Sequence, residues 1–255
     1  MLHARTHARR LPAAVLWDMD GTIVDTEGHW IAAAQRLLAE AGATPSAVGL
    51  DSLVGIALPD GARVIHELGG SGSPDALLER WIELATAHTR SEGITWRPGA
   101  RGLLGALKAA RVPLALVTMS YRDYADEILA ALPPGTFDVT VTGDEVPRGK
   151  PSPDAYLRAA ELLGVDPAEC VTIEDSPVGL AAARAAGAVA IGVPHDVPLA
   201  DRIADAIWPT LRGRGLLDFR LPLCREAAGN DESPTAFATG DSHNVRPKGL
   251  EPLTF

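Results

Sequence analysis

Five short apolar runs punctuate the chain: Ala14 to Trp17, Pro113 to Val117, Val139 to Thr142, Cys170 to Ile173 and Ala188 to Val193. They are continuous rather than alternating, the pattern of strands buried on both faces of a parallel sheet. Helical patterns lie between them. Two carry start signals, Ser152-Pro153 and Ser176-Pro177, in which a capping hydroxyl precedes proline at the first helical position. Gly164 and Gly187 supply the matching stops. Strands alternating with helices predict an α/β fold, a doubly wound parallel sheet that binds ligands beyond the carboxyl ends of its strands.

Between the first and second runs lies a stretch of roughly 70 residues without a good strand, far longer than an ordinary crossover. Trp30, Ala33, Ala34, Leu37, Leu38 and Ala41 mark one helical face there, and Gly42 ends it. Further helices are expected over Asp60 to Leu68 and Asp75 to Thr89, separated by a flexible segment from Gly69 to Pro74. The chain is therefore divided into a sheet core, residues 12–27 and 96–218, a small inserted helical cap domain, 28–95, and a disordered tail, 219–255. Hinges are expected near Thr26 and Trp96, with Trp30 and Trp81 in the cap core.

Composition narrows the function. A chain of 255 residues with 46% hydrophobic content can bury one large core or a core with a satellite. Its 33 acidic and 23 basic residues give a net charge of −10, which repels a polyphosphate backbone and argues against nucleic acid as a partner. No run is long and apolar enough to cross a bilayer, so no membrane role is expected. The basic start reads as an exposed leader, since the apolar run behind it reaches Asp18 too soon for a secretory signal. There are two cysteines, Cys170 in a strand-like run and Cys224, which fits a reducing cytoplasm; a monomer is the default expectation. An acidic protein that binds a small phosphorylated metabolite needs a local metal ion and a placed lysine.

Those groups stand at the strand ends. Asp18-Met19-Asp20-Gly21-Thr22 follows the first run, and Glu174-Asp175-Ser176 follows the fourth. Hard cations take oxygen ligands, and Mg²⁺ commonly takes one or two carboxylates. Thr118-Met119-Ser120 ends the second run with hydroxyls and main-chain amides of the kind that hold phosphate oxygens. Lys150, in Gly149-Lys150-Pro151, is the required cation. Gly143 to Lys150 superficially suggests a nucleotide phosphate loop, but five residues separate its glycines and Pro151 replaces the needed Ser or Thr.

Asp18-Met19-Asp20-Gly21-Thr22, Thr118, Gly149-Lys150-Pro151 and Glu174-Asp175-Ser176 resemble the four ordered motifs of the haloacid dehalogenase superfamily, over roughly Leu16 to Pro194. The helical insert resembles the cap of the branch containing β-phosphoglucomutases and sugar-phosphate phosphatases. The resemblance implies a Rossmann-like core and Mg²⁺-dependent chemistry, with Asp18 as nucleophile and Asp20 as general acid and base. It makes Asp18, Asp20 (through its carbonyl) and Asp175 metal ligands, with Glu174 a further ligand or a supporting partner. Thr118 and Lys150 would hold the transferring phosphoryl group, alongside Met119 and Ser120 as substrate contacts. Asp25-Thr26-Glu27 followed by Trp30 looks like the first cap segment of sugar-phosphate phosphatases and makes Glu27 and His29 candidate contacts for the leaving group. β-Phosphoglucomutases place a lysine and an arginine in the cap, where this chain has Val54-Gly55-Ile56-Ala57-Leu58. A phosphatase acting on a sugar or polyol phosphate is thus expected ahead of a phosphomutase, with a non-catalytic phosphate-binding protein third.

Overall fold

A computed structural model describes residues 11–44, 47–53, 56–200 and 202–219. Its main sheet comprises β1 (Ala14–Trp17), β4 (Leu114–Val117), β5 (Val139–Val141), β6 (Cys170–Glu174), β7 (Val189–Gly192) and β8 (Ala206–Ile207). These run parallel in the order β5-β4-β1-β6-β7-β8. The order reverses at β1: β4 and β5 extend to one side and β6 to β8 to the other, which opens a crevice at the carboxyl end of β1. The five expected strands are present. β8 is a sixth, only two residues long at the sheet edge.

Each face of this sheet has its own core. Along β1, Ala14 and Leu16 join Ala115, Val117 and residues of α7 (Asp154–Leu163) and α8 (Pro177–Ala185). The intervening Val15 and Trp17 join Leu114, Leu116 and residues of α5 (Ala100–Ala109) and α6 (Arg122–Ala130) on the opposite face. The period of two in side-chain direction thus sends one apolar run into two helical layers. Ser176 caps α8 as expected, accepting from the Gly179 amide at 3.0 Å. The other start shifts by one position: Pro153 itself occupies the cap of α7, and the Ser152 hydroxyl donates to Asp154 instead.

The chain leaves the core through β2 (Val24–Asp25) and returns through β3 (Thr95–Trp96), which pair antiparallel as a two-residue stem. Between them lie α1 (Glu27–Glu40), α2 (Ala47–Asp51), α3 (Leu58–Glu67) and α4 (Pro74–Glu92). The segment expected to be flexible is a close turn: Gly70 is buried, and a Cβ there would lie 2.8 Å from the Ile65 carbonyl. Trp81 is 1% exposed, and its indole donates to the Trp30 carbonyl at 2.9 Å. Trp30 in turn meets Tyr124 of α6, with ring centroids 4.5 Å apart.

The described chain runs past the expected end of the core, because Phe219 is buried and packs edge-on against Trp208. The rest of the expected tail, with Cys224, lies outside the described residues, as do Val54 and Gly55. Cys170 is a buried free thiol, pushed up to about 12 chiefly by burial. Among the described residues no helix is long and apolar enough to cross a membrane.

Candidate active site

The sheet's switch point gathers the motif residues. Asp18 follows β1 directly, and its amide donates to the Ile173 carbonyl of β6 at 3.0 Å, which places it beside Glu174. Glu174 is the last residue of the strand rather than the first beyond it, and is fully buried. Gly21 has φ +77°, and a Cβ there would lie 2.0 Å from an Asp175 oxygen. The two acidic loops therefore approach as closely as they do only because this residue has no side chain.

Lys150 reaches this cluster from beyond β5, with its peptide to Pro151 in the cis form. Its ammonium donates to Asp18 Oδ1 at 2.7 Å, Glu174 Oε1 at 2.6 Å and the Val117 carbonyl at 3.0 Å. Burial would lower its pKa, but the charges of Asp18 and Glu174 more than offset that and hold it above the usual lysine range. Both oxygens of Glu174 are engaged: Tyr156 donates to Oε1 at 2.6 Å, and the Ser176 hydroxyl to Oε2 at 3.2 Å. Asp20 is held by three hydroxyls, from Thr26 at 2.6 Å, Thr118 at 3.0 Å and Ser120 at 2.8 Å.

One ammonium does not neutralise Asp18, Glu174 and Asp175. Burial and the neighbouring carboxylates, partly countered by Lys150, push Asp18 up to about 7 and Asp175 up to about 9. Asp18 Oδ2 is buried without a hydrogen-bond partner among the described residues. Asp18, Glu174 and Asp175 each offer a carboxylate oxygen, all within 4.8 Å of one another. An all-oxygen donor set with surplus negative charge fits a hard divalent cation such as Mg²⁺.

Asp18, Asp20, Met119, Ser120, Lys150 and Asp175 line one cavity of about 250 Å³, which the helical insert closes with Glu27, Trp30, Ile31, Leu53, Ile56, Ala57, Leu58 and Trp81. The tryptophans expected only in the cap core thus also form the cavity wall. Glu174 and Thr118 stand behind the wall. The Thr118 hydroxyl is occupied by Asp20 and by the Ser120 amide, 3.0 Å away. His29 is not brought to the cavity: its Nδ1 lies 2.8 Å from the Thr89 hydroxyl and its ring against His88.

Tyr156, His195 and Asp196 join the site without having been expected there, and Thr26, expected as a hinge, also holds Asp20. His195 and Asp196 line the cavity from the loop after β7. Arg97, just beyond the stem, donates to His195 Nδ1 at 2.7 Å and to the Pro194 carbonyl at 2.9 Å. Because arginine can only donate, Nε2 carries the ring proton when the imidazole is neutral, and it lies 3.3 Å from Asp25 and 3.2 Å from Asp196 without hydrogen-bond alignment. No local pattern announces Tyr156, His195 or Asp196; folding brings them in.

The model of the haloacid dehalogenase-like hydrolase family matches residues 15–193. Hexitol phosphatase A of Escherichia coli is 37% identical over 195 residues, covering 72% of this chain and 84% of that protein. Validoxylamine A 7'-phosphate phosphatase of Streptomyces hygroscopicus is 34% identical, covering 75% and 89%. Among solved structures, a variant of CbbY from Rhodobacter sphaeroides in complex with xylulose 1,5-bisphosphate aligns with a TM-score of 0.75 and 27% identity, over 83% of this chain and all of that one. Motif order, sheet topology and a match over most of the chain agree, and the chain belongs to the haloacid dehalogenase-like hydrolases.

Proposed function

We propose that this hydrolase is a Mg²⁺-dependent phosphatase of a sugar or polyol phosphate that works through an aspartyl-phosphate on Asp18. The observation that carries the reading is the state of Asp18: one oxygen is fixed by Lys150, and the other is unpartnered in a carboxylate that lines the cavity. With Lys150 and the metal on the first oxygen, the second would be the one left to attack phosphorus.

Asp18 and Asp175, with the main-chain oxygen of Asp20, would hold the metal, which supplies charge neutralisation for a dianionic phosphate approaching three carboxylates. Glu174, already bonded at both oxygens, orients Lys150 instead of ligating. Attack by Asp18 forms the acyl phosphate and breaks the P–O bond to the leaving alcohol, whose oxygen takes a proton from Asp20. Asp20 then accepts a proton from the water that attacks phosphorus, releasing inorganic phosphate and restoring Asp18. The three hydroxyls that grip Asp20 aim it for both transfers. A phosphomutase would need a second phosphate held from the cap. Lys150 is the one lysine or arginine lining the cavity among the described residues, and Val54 and Gly55 carry no charge, which favours water as acceptor.

Phosphate release from a panel of sugar and polyol phosphates tests the proposal. Turnover is expected with Mg²⁺, and its loss both in chelator and in Asp18→Asn. Undiminished turnover by that variant would remove Asp18 from the mechanism.

A further inference from the structure

The same cavity carries a second charged feature that phosphoryl transfer does not use. Glu27, on the first turn of α1, and Asp196, after β7, line it from the insert and core sides. Burial, followed by the neighbouring carboxylates of Asp196, Asp25 and Asp51, pushes Glu27 up to about 7. His195 faces Asp196 and Asp25 but is itself backed by Arg97. The remaining insert wall is apolar, from Trp30, Ile31, Leu53, Ile56, Leu58 and Trp81. Lys150 is engaged by Asp18 and Glu174. With phosphorus at Asp18, the rest of a ligand would fill the cavity that Glu27 and Asp196 also line.

Resting on the phosphatase reading, we infer that Glu27 and Asp196 select the leaving alcohol by charge: they exclude a second anionic group and favour one that presents hydroxyl or ammonium donors. Above about pH 7, where Glu27 ionises, a carboxylate or second phosphate beside it would meet two acidic side chains with no lysine or arginine other than Lys150 lining the cavity to offset it among the described residues. A hydroxyl donates to either carboxylate, and an ammonium does so with charge complementarity. The apolar wall takes the carbon skeleton.

The test compares kcat/KM for glucose 6-phosphate and glucosamine 6-phosphate, a pair differing in one ammonium group, with phosphoglycolate and a sugar bisphosphate. Like-charge juxtaposition should place the two anionic compounds roughly 100-fold or more below the hexose esters. The glucosamine ester should equal or exceed its partner. In the double variant Glu27→Gln, Asp196→Asn, the gap should narrow by about tenfold or more and the ammonium advantage disappear. Hydrolysis of phosphoglycolate as efficient as that of glucose 6-phosphate, or an unchanged ratio in the double variant, would overturn the inference while leaving the hydrolase standing. Affinities of the four compounds for Asp18→Asn, measured by calorimetry, separate the two readings. The same order of binding without phosphate release by the parent would sink the phosphatase and keep the selection by charge.

Discussion

At the residue scale, the site is defined by a shortage of positive charge. Asp18 and Asp175 sit near 7 and 9 when folded, against an ordinary aspartate value of 3.8. Where the folded chain holds protons that the unfolded chain has released, stability falls as pH rises. Their contribution is fully present below about pH 4 and is lost as pH climbs through 7 toward 9. In chelator, the melting temperature should therefore drop by at least about 3 °C between pH 5 and 8.5, on the scale expected for a chain of this size. Added Mg²⁺ should restore more at the upper end, and Asp175→Asn should flatten the slope. A melting temperature that is level or rises over this range in chelator would show the carboxylates to be compensated by some other route. Asp18, Asp20, Glu174 and Asp175 were legible in the sequence because they end or closely follow buried apolar runs, where charge is costly without a purpose, and Lys150 because it stands just before Ser152-Pro153. Tyr156 was not, because a tyrosine inside an amphipathic helix reads as core until the fold sets its hydroxyl against Glu174. Nor were His195 and Asp196, which stand in a loop without periodicity. His29 was misplaced for a related reason: one turn of a helix carries neighbouring residues to different faces, and only Glu27 faces the cavity.

At the scale of elements, legibility followed length and punctuation. Runs of three to five buried residues and helices bounded by serine, proline or glycine were recoverable, whereas β2, β3 and β8, at two residues each, are too short to show a period. α2, with five residues, is equally silent. The cap of α8 joins element stability to the site, since the Ser176 hydroxyl that accepts from Gly179 also donates to Glu174. Ser176→Ala should cost about 1 kcal/mol in urea denaturation, the usual value of a lost helix cap. It should also lower kcat, because Glu174 loses a partner on the side away from Lys150. A change in stability with kcat untouched would show that Lys150 and Tyr156 suffice to orient Glu174.

At the scale of the whole molecule, the inserted helices are separate in sequence but not in packing. One buried cluster runs from Val15 and Trp17 in the sheet through Ile23 and Val24 to Leu37, Ile65 and Trp81 in the insert. Tyr124 of α6 joins it to Trp30 and lies 3.1 Å from the Thr89 hydroxyl of α4. Core and insert should therefore melt together, with tryptophan fluorescence and far-ultraviolet circular dichroism giving coincident transitions. An earlier transition confined to one probe would show the insert unfolding by itself. The covalent link between the two is nevertheless slight: two residues out, Val24 and Asp25, and two back, Thr95 and Trp96, on one short ladder. The groups proposed for phosphoryl transfer all lie outside residues 27–92, and most of the surface that would recognise an alcohol lies inside them. Substitutions confined to residues 27–92 can therefore change which alcohol is admitted while leaving the groups of the reaction in place.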